Sequence, residues 1–211
     1  MLQSMVWIGK HGLSLRKNIQ KKLTKFIWRE GDIVAKKMFV SLAYGSHLPC
    51  LIKAVEKTGG DILEFGTGIF STPYLRYVAM LQDRLLVSVE NFKPWYDFML
   101  KYYENSAYHE MVFVENYADF NIGIPVRLND QRDRWGIVLI DQTPDSSRAE
   151  EIIRLKDKAE YIVIHDSNPS NDRVTKYSTI YPHFKYKTDW HGDKNRATVL
   201  SNYHDLKDFW K

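Results

Sequence analysis

From residue 62 onward, short β-rich apolar runs take turns with helical segments, and few folds accommodate that rhythm. The runs are 62–65, 85–89, 111–114, 137–140 and 161–164, and the helical stretches between them are 73–82, 94–104 and 146–158. Such alternation predicts parallel strands joined by crossover helices. Residues 117–134 are polar, with Gly123 and Pro125, and read as loop-containing. After the fifth run two strand-like pieces, 183–188 and 197–201, flank His191-Gly192-Asp193-Lys194-Asn195 and predict a hairpin. A Rossmann-like, mostly parallel α/β sheet with a C-terminal antiparallel hairpin and helices on both faces is the expected fold class.

The 211 residues suffice for one such domain and an extension. The extension is helical: apolar Leu15, Ile19, Leu23, Phe26 and Ile27 share one face, and further helical stretches cover 33–43 and 48–57. We place the boundary at 45/46, with 1–45 a basic amphipathic extension and 46–211 the α/β domain. Residues 10–37 carry nine Lys or Arg against Glu30 and Asp32, so this arm is +7 and the remainder −3, within a net charge of +4. A peripheral membrane contact, a nucleic-acid contact and a packed, solvated helix compete for the arm. The acidic remainder disfavours nucleic acid. A single cysteine, Cys50, excludes an internal disulfide and a cysteine-rich zinc site. No apolar run approaches the roughly 20 residues a spanning helix needs, and a cytoplasmic protein, with membrane contact at most peripheral, is expected.

The first strand runs into a turn, Glu64-Phe65-Gly66-Thr67-Gly68, followed by Ser71-Thr72-Pro73, which carries cap and helix-start signals. Two glycines suit a backbone that a ligand approaches closely. The third glycine of the dinucleotide fingerprint is absent, since position 71 is Ser, and this counts against NAD. Glu90 ends the second strand, 24 residues beyond Gly66, where a carboxylate can accept from both hydroxyls of a ribose. The fourth strand runs into Asp141 and the fifth into His165-Asp166-Ser167-Asn168, so these polar groups should converge at the crevice of an open α/β sheet.

Together these residues resemble the class I S-adenosylmethionine-dependent methyltransferases, over about residues 46–203. The resemblance implies a seven-stranded sheet and S-adenosylmethionine as cofactor. It implies a cofactor site of Glu64, Gly66, Thr67, Gly68, Ser71, Thr72, Glu90, Asn116, Tyr117 and Asp141, with Tyr117 either offering a ring face near the adenine or packing in the core. Its metal-assisted O-methylating branch holds magnesium with acids at the fourth and fifth strand ends. Asp141 and Asp166 match those positions, whereas Asn168 lies one place later than the branch's third ligand.

Three roles stay open for the catalytic group Asp141, His165 and Asp166. A magnesium ion on Asp141, Asp166 and Asn168 would lower a hydroxyl's pKa. His165 could instead take the proton as a general base. In the third, His165 and Asp166 only organise the loop. His47 reads as a helix-start residue near the cofactor site, Arg148 as a solvated helix-face residue or one that orients an anionic substrate, and Trp95 as a core aromatic or one that contacts an acceptor from a loop. The expected activity is O-methylation of a small-molecule or glycan hydroxyl. Its rivals are a non-catalytic Rossmann-like binding module and a nucleotide-sugar or NAD-dependent enzyme. Oligomeric state and acceptor identity lie beyond the sequence.

Overall fold

A computed structural model describes residues 42–122, 133–192 and 195–211. The chain divides into two units, Met1–Leu42 and Ala43–Lys211. The basic arm at 10–37, its expected helices and most of the loop at 117–134 lie outside the described residues. No described helix is long and apolar enough to cross a membrane.

The second unit is built on one seven-stranded sheet of order β3-β2-β1-β4-β5-β7-β6. Its strands are β1 (Ile62–Phe65), β2 (Leu86–Glu90), β3 (His109–Phe113), β4 (Trp135–Ile140), β5 (Ala159–Ile164), β6 (Tyr186–His191) and β7 (Arg196–Ser201). The first five pair in parallel, and β7 runs antiparallel to both β5 and β6. Around them lie α1 (Leu48–Lys57), α2 (Ser71–Leu81), α3 (Lys93–Tyr102), α4 (Arg148–Leu155) and the single turns α5 (Asp172–Thr175) and α6 (Tyr177–Ile180). This is the expected Rossmann-like sheet, hairpin included.

Alternation along each strand buries both faces. Ile62, Leu86, Ile137 and Val163 pack with Leu51 and Ala54 of α1 and Leu75 and Val78 of α2. Leu63, Val87, Val138 and Ile162 pack on the other side with Ile152 and Leu155 of α4 and Tyr177 and Ile180 of α6. Continuous apolar strands follow from that two-sided burial, which parallel sheets require. The strand order reverses between β1 and β4, so a crevice opens above their C-terminal ends.

Element ends shift for local reasons. The helix expected from Pro73 begins at Ser71, with Thr72 N–H donating to Gly68 O at 3.1 Å. The strand expected from 183 begins at Tyr186, because a 3-10 turn at Tyr181–His183, containing Pro182, delays it. The helix expected at 146–158 spans only Arg148–Leu155, after a 3-10 turn at Asp145–Ser147.

Gly66 is held at φ +85°, and a Cβ there would lie 2.6 Å from Asp141 O. Gly66→Ala should therefore combine left-handed strain of about 1–2 kcal/mol with overpacking of about 1–3 kcal/mol. A calorimetric melt should show Tm lowered by roughly 10 °C.

Candidate active site

The turn after β1 is clamped from three sides. Glu64, fully buried in β1, accepts from Thr72 Oγ1 at 3.0 and 3.1 Å and from Ser88 Oγ at 2.6 Å. The same Thr72 hydroxyl accepts from Gly68 N at 2.9 Å, so one side chain ties strand, turn and helix together. Glu90 accepts from Thr67 N and Thr67 Oγ1 at 3.1 and 3.0 Å, and from Asn91 N and Phe92 N at 3.0 and 2.8 Å. Those four bonds fill the roughly four lone-pair sites of a carboxylate. A ribose diol would therefore be accepted by exchange for the Thr67 donors. On the far side Trp95 Nε1 donates to Thr67 O at 2.9 Å, so this residue is a buried clamp on the turn, the core one of its two expected roles.

Beneath the turn runs a directed polar chain. Arg76 donates to His109 Nδ1 at 3.0 Å, His109 Nε2 donates to Ser88 Oγ at 2.9 Å, and Ser88 donates to Glu64. Burial first, then Arg76, lowers the His109 pKa to about 4, so the ring is neutral and the direction of donation holds. Burial pushes Glu64 up to about 7 against the hydrogen bonds of Ser71, Ser88 and Thr72. An acid whose folded pKa is raised binds its proton more tightly in the native state, so its contribution to stability falls as pH rises from about 4.5 towards 7. Glu64→Gln should remove that loss. The stability difference between variant and wild type should grow by up to about 3 kcal/mol between pH 5 and 8, measured by urea unfolding.

At the ends of β4 and β5 four charged groups meet. His165 Nδ1 lies 3.0 Å from Asp141 Oδ1 and 3.4 Å from Asp166 Oδ2, while Nε2 lies 2.9 Å from Ser46 Oγ. Arg148 is 3% exposed, with Nη2 at 3.2 Å from Asp141 and 3.1 Å from Asp145, and Nη1 at 3.6 Å from Asp166. Its Nε donates to Gln142 O at 2.7 Å. The expectation of a solvated helix-face arginine is thus corrected: α4 starts so close beneath the β4 end that its first side chain is drawn between the acids.

Burial works against the charge of Asp141, yet His165, Arg148 and His47 hold its carboxyl below the ordinary range. Burial likewise lowers His165, and Asp141 and Asp166 more than offset it, so its pKa is raised. Burial raises Asp166, with His165 opposing. Its backbone is left-handed, at φ +54°, and Asn195 Nδ2 donates to its Oδ1 at 2.7 Å. His47 is 2% exposed, and burial lowers its pKa to about 4. Its ring meets that of His165 edge-on, centroids 4.8 Å apart.

The residues do not fit a magnesium ion on Asp141, Asp166 and Asn168. A guanidinium already lies against both carboxylates, and Asn168 Oδ1 accepts from Arg196 N, tying its loop to β7. The tightest potential ligand cluster among the described residues is instead His47, Asp141 and His165, with ligand atoms within 4.8 Å of one another. Two imidazoles beside an arginine are a poor match for a hard cation that prefers oxygen.

Two expected cofactor residues stand differently from the rest. Asn116 is exposed and caps a 3-10 turn by accepting from Ala118 N at 3.2 Å. Tyr117 does not present a free ring face: it is 2% exposed, packed on Phe65 with centroids 5.2 Å apart, and its hydroxyl points to Val89 O. Apolar surface in a polar segment drew it into the core. Gln142 and Ser46 were not singled out from the sequence. Gln142 is fully buried beside the glycine turn, and its Oε1 and Nε2 find no hydrogen-bond partner among the described residues. The only sequence signal for Ser46 was its place directly before His47 and a helix.

No family model matches the chain, and no curated protein does. Solved structures do. Human methyltransferase 10 domain containing protein is 13% identical, with 89% of this chain and 96% of that chain covered at a TM-score of 0.55. Cofactor-bound Rv0187 from MTB is 19% identical, covering 80% and 84%, at 0.54. The O-methyltransferase TomG from Streptomyces achromogenes, in complex with SAM, is 16% identical, covering 78% and 82%, at 0.53. At such identities it is the architecture that is shared, and the chain has the class I S-adenosylmethionine-dependent methyltransferase fold.

Proposed function

We propose that the protein is an S-adenosylmethionine-dependent methyltransferase acting on a hydroxyl of a small molecule or glycan. The observation that carries the oxygen target is Ser46 Oγ at 2.9 Å from His165 Nε2, which marks where a hydroxyl sits against this base. Support for the cofactor comes from the turn. Among the described residues a Cβ at Gly68 would meet only Ser71 Oγ, at 3.1 Å, which leaves this side of the backbone for close approach by a ligand. The Gln142 amide, without a hydrogen-bond partner among the described residues, supplies an NH2 donor group and a carbonyl acceptor beside it. Bound there, S-adenosylmethionine would supply an electrophilic sulfonium methyl. Gly66, Thr67 and Gly68 would hold its amino-acid part and Glu90 its ribose.

The chain's own groups then prepare the nucleophile. Asp141 accepts from His165 Nδ1–H, which leaves the Nε2 lone pair to take a proton from the acceptor hydroxyl. Asp141 and Asp166 offset the imidazolium that forms, and Arg148 keeps Asp141 ionised. Because the unprotonated ring is the active form and its pKa is raised above 6.5, the methyl-transfer rate should climb as pH passes through that raised value. Rate profiles over a panel of hydroxyl acceptors test this. His165→Ala should lose the limb, and chelators should leave the wild-type rate unchanged. A profile unaffected by the substitution contradicts the role given to His165.

A further inference from the structure

The relay that would deprotonate an acceptor already holds a hydroxyl of this chain. Ser46 Oγ, His165 and Asp141 stand in line: 2.9 Å from Oγ to Nε2 and 3.0 Å from Nδ1 to Oδ1. With the carboxylate on Nδ1–H, Ser46 donates to Nε2, which is the arrangement by which a serine becomes a nucleophile. His165 is 1% exposed whereas Ser46 and Asp141 are partly exposed, so of the proton-relay pair Ser46 and His165 it is the hydroxyl that an incoming molecule reaches.

Acyl transfer also needs a donor for the oxyanion. His47 follows Ser46 directly, is 2% exposed, and neither ring nitrogen has a hydrogen-bond partner among the described residues. A neutral imidazole keeps one N–H, and Asp141 Oδ2, 4.0 Å from His47 Nδ1, lies beyond its hydrogen-bond reach. Ser46 also lies two residues ahead of the ten-residue α1, where Leu51 N donates to His47 O and Pro49 has no N–H, so the Leu48 and Cys50 N–H groups are the first-turn donors without an acceptor within the helix. Opposite, a Cβ on Gly192 would come within 3.5 Å of Ser46 Cβ, so the backbone at Gly192 narrows the approach and favours short acyl groups.

We propose that Ser46, His165 and Asp141 form a second, acyl-transfer activity that hydrolyses short-chain carboxylic esters, with His47 donating to the oxyanion. Ser46 Oγ forms a bond to the ester carbonyl carbon as its proton passes to His165 Nε2. The carbon–alkoxy bond then breaks, and the same proton goes to the leaving alcohol. Water repeats the sequence on the acyl-serine, releasing the carboxylic acid and restoring Ser46. Nothing in this chemistry involves S-adenosylmethionine, so it stands or falls apart from methyl transfer.

The test uses the full chain without cofactor and an ethyl fluorophosphonate, which transfers its phosphorus to an activated serine and expels fluoride. Peptide mass spectrometry should find the adduct on Ser46 in native wild type and not after heat denaturation. Labelling should be absent in Ser46→Ala, unchanged in Ser170→Ala, an exposed serine elsewhere, and slowed at least about 100-fold in His165→Gln. p-Nitrophenyl acetate hydrolysis should follow the same order. No adduct on Ser46 in the native wild type, or equal labelling of native and denatured protein, overturns the proposal whether or not the His165 variant folds. Equal labelling of a folded His165→Gln variant overturns it as well.

Discussion

Asp141→Asn should lower the rate of methyl transfer by about 10²–10⁴-fold, the range that a positioned acid–base group supplies. The amide is nearly isosteric, so the pocket keeps its shape while two things change. An amide Nδ2 facing the ring favours the tautomer with its lone pair on Nδ1, leaving Nε2 protonated and unable to take a proton. In addition, His165 loses the carboxylate that does most to raise its pKa. The pH limb should therefore move to lower pH as its amplitude collapses. The linkage has two signs here. Asp141, with its pKa lowered below 3.8, contributes stability that is lost as pH falls through the lowered value. His165, raised above 6.5, contributes stability present below 6.5 and lost as pH rises through the raised value. In the variant both slopes should flatten, read by chemical unfolding across pH 3 to 9.

Arg148→Met should be the most destabilising single change at the site, costing about 3–5 kcal/mol, the usual loss when one partner of a buried ion pair is removed. Its guanidinium faces Asp141, Asp145 and Asp166 and is 3% exposed. Methionine fills most of the volume but leaves Asp141 and Asp166 near His165 with one cation fewer. The two carboxylates should respond by binding protons more readily. Equilibrium urea unfolding should then show a deficit larger at pH 8 than at pH 5, where partial protonation relieves it. A deficit independent of pH would mean that the loss is packing rather than charge.

Much of this was legible in the chain, because it follows from patterns local in sequence. Strand rhythm requires only apolar runs buried on both faces, and the Gly66 turn announces itself by residue type. Contacts made across the sheet left no such trace. Ser46 and His165 are 119 residues apart, and nothing in either segment says that they touch. Arg148 read as a solvated residue because helix faces are usually wet, and only the arrival of α4 beneath the β4 end reverses this. Glu90 was recognisable as an acid at a strand end, but its four bonds to the turn and to residues 91 and 92 depend on loop geometry that spacing does not encode. The magnesium expectation arose in the same way: two acids at matching strand ends suggest a cation, and the cation present is an arginine.

The central claim is that the crevice beside Gly66–Gly68 receives S-adenosylmethionine, and isothermal titration of the cofactor into wild type and Gly68→Leu addresses it directly. Among the described residues a Cβ at residue 68 meets only the Ser71 hydroxyl within 4 Å, so the variant should fold while the approach to the turn is blocked. Wild type should give a saturable one-site isotherm, and a Gly68→Leu protein of near wild-type Tm should lose it. No saturable heat in wild type, or equal affinity in the folded variant, would contradict it.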